Sequence, residues 1–191
     1  MIEQAKTILQ STFGYSTFRP LQEEIISHVF EKKDALVLMP TGGGKSMCFQ
    51  IPGLILDGTA LVVSPLISLM RDQVEALKHN GVAAAYYNSS LTSEEEREVL
   101  LQAQNGKLKF LYVSPERLMA ENSNWIRGMN ISLVAIDEAH CISMWGHDFR
   151  PEYQMLSTFR STVPEIPFLA LTATADRSTR KDIASQLGLK D

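Results

Sequence analysis

Two short strings in this chain carry residue types that belong together around a phosphate chain. In the first, the apolar run ALVLM leads into PTGGGKS and then into MCFQIPGLIL. Strand, glycine loop, Lys-Ser and helix, in that order, is the context a P-loop requires. Gly42, Gly43 and Gly44, following Thr41, let the backbone turn tightly with its N–H groups facing inward. With the helix N-terminus they make a cradle for phosphate oxygens. Lys45 is expected to reach the β- and γ-phosphates, and the Ser46 hydroxyl to ligate Mg²⁺. The strict G-x-x-x-x-G-K-[ST] pattern has glycine where this chain has Met39, but the inner glycines shape the loop. A glycine-rich turn with a solvated lysine is the plainer alternative, and both flanking elements count against it.

The second string is SLVAIDEAH, which sets Asp137 and Glu138 directly after an apolar run. In a parallel sheet, ligands bind at the carboxyl ends of strands, so both acids fall on the same edge as the glycine loop. Asp137 suits Mg²⁺, and Glu138 can polarise a water for attack on the γ-phosphate. Alone, such a pair is usually a solvated turn. After a P-loop, the two signals reinforce each other.

The elements that must position these residues are legible as a pattern. Candidate strands are Ala35–Met39, Ala60–Ser64, Ala83–Tyr87, Lys109–Val113, Leu133–Ile136 and Phe168–Leu171. Helical periodicity covers Leu66–Asn80, with Gly81 as its cap, and Ser93–Gln104, with Thr92 or Ser93 as N-cap and glutamates in the first turn. Nearly all-apolar strands, each followed by a helix, indicate an α/β domain: a mostly parallel sheet with helices on both faces. A helical segment over residues 1–33 precedes the first strand.

Composition bounds the rest. At 191 residues, 45% hydrophobic and only 21% charged, the chain can bury a core, which excludes a disordered segment. The apolar stretch Thr59–Met70 is too short for a membrane span and is interrupted by Pro65, and the N-terminus does not read as a secretory signal. Cys48 and Cys141 stand apart and define no disulfide framework, which fits a reducing cytoplasm or nucleoid. A net charge of −4 argues against a general polyanion binder but leaves room for a local nucleic-acid groove.

PTGGGKS, SPLISLMRDQ, VSPERL, DEAHCISMWGHDFRPEY and LTATA occur here in the order seen in RecQ-type DNA helicases of helicase superfamily 2. FGYSTFRPLQEE resembles that family's nucleotide-specificity element, so the resemblance spans about residues 8–190. It implies a RecA-like P-loop NTPase lobe over 34–191 and contacts from Tyr15, Arg19 and Gln22 to adenine. Gln22 can pair with a donor and an acceptor on the purine edge, and Tyr15 can stack on the ring; Tyr15 and Phe18 could instead anchor the N-terminal helix. Leu21 stands where the family commonly has glycine.

The segment after DEAH is similar to the family's aromatic-rich loop, which senses single-stranded DNA. Trp145, His147, Phe149 and Arg150 are its candidates, because a base offers a π-face whatever its identity. Packing of Trp145 beneath the loop is one alternative. A metal site is another, although His140, Cys141, His147 and Asp148 match no usual zinc spacing. The resemblance gives His140 a bridging place between the acidic pair and LTATA, where Thr172 and Thr174 would couple nucleotide state to lobe movement. Ser64–Gln73 and Val113–Leu118 resemble the family's strand-end loops along the DNA backbone, which implies that Ser64, Ser68, Arg71 and Ser114 donate to phosphates; Ser64 and Ser114 could equally cap helices.

Helicases of superfamily 2 bind ATP between two RecA-like lobes, and this chain carries signatures of the first alone. The resemblance therefore implies a fragment: the ATP- and Mg²⁺-binding lobe of a 3′-to-5′ DNA helicase, acting on single-stranded and partly duplex DNA with a second lobe of the same polypeptide. Two alternatives stay open, an RNA helicase lobe of the DEAD/DEAH group and a nucleotide-sensing module that regulates a partner.

Overall fold

Each expected strand forms, displaced by at most two residues at either end. The computed structural model describes residues 1–40, 44–118 and 123–190. The strands are β1 (Ala35–Leu38), β2 (Thr59–Val63), β3 (Ala84–Tyr87), β4 (Phe110–Val113), β5 (Ile131–Ile136) and β6 (Phe168–Thr172). They lie side by side in the order β1-β6-β5-β2-β4-β3. All five pairings are parallel. Parallel neighbours need a crossover between them, and the helices supply it. These are α1 (Ile2–Ser11), α2 (Gln22–Phe30), α3 (Met47–Ile55), α4 (Ile67–His79), α5 (Ser93–Gln104), α6 (Pro115–Leu118), α7 (Met155–Thr162) and α8 (Arg177–Gln186).

Period-two alternation divides each central strand between two cores. Ala60, Val62, Leu133 and Ala135 face α3 and α4, packing with Phe49, Met70, Val74 and Leu77. Leu61, Val63, Val134 and Ile136 face the other way, with Leu156 and Phe159 of α7 and Ile183 of α8. This two-sided burial explains why the strands read as continuous apolar runs. Ala5 and Leu9 of α1 join Ile26 and Ile51 in a third, smaller core, which seats the N-terminal helices on α3.

Local signals set the ends of the helices. Thr92 is the N-cap of α5 and forms a capping box: its hydroxyl accepts from Glu95 N (3.2 Å) and its N–H donates to Glu95 Oε1 (2.9 Å). The chain leaves α4 through Gly81 at φ +80°, a left-handed conformation that glycine adopts without a Cβ clash. Because the strands are parallel, Met39, Ser64, Ser114, Asp137 and Thr172 all emerge on the same edge of the sheet. No helix among the described residues is long and apolar enough to cross a membrane.

Candidate active site

On that edge a cavity of about 380 Å³ is lined by Tyr15, Arg19, Gln22, Lys45, Asp137 and Glu138, with Gly44 and Ser46 on its floor. A larger cavity of about 880 Å³ lies between β3 and α5 and contains none of these groups. Thr41, Gly42 and Gly43 lie outside the described residues. Met39, in the position of the missing glycine, is buried, and its N–H donates to the Thr172 carbonyl (3.1 Å). It keeps a negative φ, so the backbone there does not need glycine. Gly44 sits at φ +82°, and a Cβ on it would run into Gln22 Nε2.

Gln22 is buried, and its amide is engaged with the protein. Its Oε1 accepts from Arg19 N (2.8 Å) and its Nε2 donates to the Gly44 carbonyl (3.1 Å). The FRPLQ segment is thus tied to the phosphate loop, a contact the sequence does not announce. These two bonds use one of the two amide N–H groups and one of the two oxygen lone pairs. Tyr15 is 51% exposed over the cavity, whereas Phe18 packs with the small core under α1. The two aromatics therefore divide, one facing the cavity and the other anchoring the helix.

Lys45 Nζ lies 4.0 Å from Asp137 Oδ1. Burial raises the Asp137 carboxyl above the ordinary aspartate range, opposed by Lys45 and reinforced by the neighbouring Glu138 charge. Two carboxylates and a hydroxyl beside one lysine form an oxygen-rich donor set short of positive charge, and such a set fits a hard divalent cation. Tyr153, fully buried, donates from its hydroxyl to the Asp137 carbonyl (2.9 Å). Glu138 follows at φ +52°, a left-handed conformation costly for a side chain of its size and typical of functional turns.

His140 stands between the acids and LTATA. Its Nε2 is 3.5 Å from Glu138 Oε2 and its Nδ1 is 2.8 Å from Thr172 Oγ1. Burial lowers its pKa, partly offset by Glu138, so the ring is neutral near pH 7. With the proton on Nε2, that N–H is turned towards Glu138, and Nδ1 is left to accept from Thr172. The Thr172 hydroxyl also reaches the Thr174 carbonyl (3.1 Å) and accepts from Thr174 N (3.3 Å). One hydroxyl proton thus faces two acceptors, and the imidazole tautomer decides between them.

The loop after His140 is closed by Arg150 N donating to the Cys141 carbonyl (2.9 Å). Trp145, 74% exposed, and Met144 project from it. Packing of Trp145 beneath the loop is therefore not what the structure has. His147 stacks on His140 with ring centroids 4.4 Å apart, which links the loop to the acid-bridging imidazole. Phe149 and Arg150 are half-buried, and Arg150 pairs with Asp148 at 3.4 Å. Ser64 Oγ sits 3.4 Å from Leu66 N, while Ser114 Oγ is buried and has no hydrogen-bond partner among the described residues.

Residues 19–183 match the DEAD/DEAH box helicase family. The chain belongs to that family. It is 51% identical over 188 residues to the ATP-dependent DNA helicase RecQ of Haemophilus influenzae and 52% identical over 189 residues to that of Pasteurella multocida. Each match covers 98% of this chain and 30% of the relative, so the chain spans about a third of the length of these curated relatives. The crystal structure of the DUF1998 helicase MrfA bound to DNA superimposes with a TM-score of 0.76 at 18% identity, over 98% of this chain and 28% of that one. That likeness shows that the chain has the RecA-like fold.

For this DEAD/DEAH box chain, the sequence passed over Tyr153, Ser143 and Asp182. Tyr153 carried the one usable signal, a phenol at the end of the DEAH-to-PEY string, which when buried needs a hydrogen-bond partner. His140, Cys141 and Asp148 do offer ligand atoms within 4.8 Å of one another. Burial and the Asp148 charge push the Cys141 thiol up to about 12.

Proposed function

We propose that the chain is the first ATP-binding lobe of a RecQ-type DNA helicase, coupling ATP hydrolysis to 3′-to-5′ movement along single-stranded DNA and to duplex unwinding in the longer protein. The observation that carries this reading is that Lys45, Ser46, Asp137 and Glu138 share one cavity with Tyr15, Arg19 and Gln22. The roughly one-half identity to RecQ DNA helicases supports it.

In this reading residues 1–33 recognise adenine and residues 34–191 form the motor lobe. Tyr15 stacks on the base, and Gln22 and Arg19 hold its edge. Thr41, Gly42, Gly43, Gly44 and the start of α3 hold the phosphates, with Lys45 at the β- and γ-oxygens. Ser46 and Asp137 would hold Mg²⁺, which when bound would supply positive charge at the phosphates. Glu138 orients the attacking water and takes its proton; His140 fixes the Glu138 carboxylate and passes its position to Thr172 and Thr174. Trp145, His147, Phe149 and Arg150 meet unpaired bases beside that relay. A second RecA-like lobe completes the site with an arginine, a group worth about 10³–10⁵ in rate.

Steady-state ATP hydrolysis and ATP binding, with and without single-stranded DNA or RNA, test this beside Lys45→Ala. Expected are Mg²⁺- and Lys45-dependent ATP binding, very slow turnover, and preference for DNA. Strong DNA-stimulated hydrolysis by the chain alone would overturn the half-site reading. ATP binding indifferent to Lys45→Ala would overturn the assignment of the site.

A further inference from the structure

The aromatic loop does not stand on the sheet alone; its base is fastened to α8. Ser143 is fully buried at the root of the loop. Its hydroxyl donates to Asp182 Oδ2 on α8 at 2.6 Å, and Ser143 Oγ in turn accepts from Trp145 N at 3.2 Å. Gln186, one turn further along α8, donates to the same Asp182 oxygen at 3.0 Å and holds the carboxylate in place. Beside this contact Gly146 packs tightly: a Cβ there would approach the His140 carbonyl oxygen to 2.8 Å and Thr179 Cγ2 of α8 to 3.6 Å. Thr179 is buried, and its N–H donates to the helix-capping Asp176 carboxylate. The turn that throws Trp145 into solvent is thus built on one face of α8, and α8 begins just beyond Thr172 and Thr174.

We propose that Asp182 is a positioning residue for Trp145: through the Ser143 hydroxyl it fixes the turn that presents the indole to unpaired bases. This rests on the reading of the loop as the single-strand contact. A carboxylate accepting a short hydroxyl bond is a strong, directional restraint. Ser143 turns that restraint on the Trp145 backbone through its second hydrogen bond. The same α8 follows Thr172 and Thr174, so the loop and the threonines of the nucleotide site move with a common element.

Binding of fluorescein-labelled oligothymidylate, read as anisotropy at low salt, tests the proposal on this chain. Asp182→Ala and Ser143→Ala are each expected to weaken binding about tenfold, as loss of one hydrogen bond to a charged group does. The double variant should be no weaker than either single one, because both remove the same interaction. Asp182→Asn keeps an acceptor oxygen and should stay within about twofold of the parent. Binding of a fluorescent ATP analogue should be unchanged in all of them, and Ser143→Ala with Asp182→Asn carry the test if Asp182→Ala misfolds. An Asp182→Ala chain that binds like the parent, losses that multiply in the double variant, or an Asp182→Asn chain as weak as the alanine overturns the inference alone. A parent chain that binds no oligothymidylate, or is unaffected by Trp145→Ala, overturns the reading of the loop and this inference with it.

Discussion

Asp137 is a buried carboxyl, and its burial makes the charged form costly in the folded chain. Its pKa is raised in the folded chain, with burial the main cause. A carboxyl with a raised folded pKa stabilises the fold below its unfolded value of about 3.9, and that contribution is lost as pH climbs through the higher folded value. At neutral pH the group therefore opposes folding. Asp137→Asn keeps the Oδ1 acceptor for Glu138 N (3.0 Å) and removes the buried charge. Thermal melting should show the variant more stable than the parent at pH 7, with the gap closing towards pH 4. Stabilisation of the parent by ATP–Mg²⁺ should vanish in the variant. A variant less stable at pH 7 would mean that the Lys45 contact at 4.0 Å outweighs desolvation.

One element is entered under strain. Leu21, the N-cap of α2, has φ +72°, a left-handed conformation costing an L-residue about 1–2 kcal/mol. It is 57% exposed, so its side chain recovers little by packing. Leu21→Gly should raise stability by up to about 1 kcal/mol, after the greater freedom of glycine in the unfolded chain is subtracted. Leu21→Val should lower it by about 1 kcal/mol, since β-branching makes the left-handed region worse. Denaturant melts that rank valine above glycine would refute this. That the chain needs glycine-like geometry at Leu21 could not be read from its type, and neither could the docking of Gln22 on Gly44, 22 residues away, or of Ser143 on Asp182, 39 residues away. The strands, α4 and α5 were legible because hydrophobic periodicity and capping chemistry are local. The grouping of Lys45, Ser46, Asp137 and Glu138 in one cavity was legible because parallel strands send their carboxyl ends to one edge. Lateral strand order and side-chain pairing are set by packing between distant segments, and no local window contains them.

For the molecule as a whole, that polarity separates chemistry from fastening. The carboxyl edge of the sheet carries the acids, the lysine and the aromatic loop, while the amino edge is tied by Asp34, just before β1. One Asp34 oxygen accepts from Phe168 N at the start of β6 (2.9 Å). The other accepts from Arg160 of α7 (2.7 Å) and from Lys190 N beyond α8 (2.8 Å). Arg160 in turn donates to the Ile166 carbonyl (2.9 Å) and lies over the Phe168 ring at 4.4 Å. Both side chains are almost fully buried, at 8% and 3% exposure, so neither charge has much contact with water. Removing one partner of such a pair typically costs about 3–5 kcal/mol, because the survivor is left buried and uncompensated. Asp34→Ala should therefore lower unfolding free energy by that order in a urea titration, and Arg160→Met added to it should recover part of the loss. ATP affinity of the folded fraction should not change, since the whole length of β1 separates Asp34 from the glycine loop. A drop in affinity that tracks the stability loss would mean that the two edges of the sheet are coupled, and the separation of fastening from chemistry would fail.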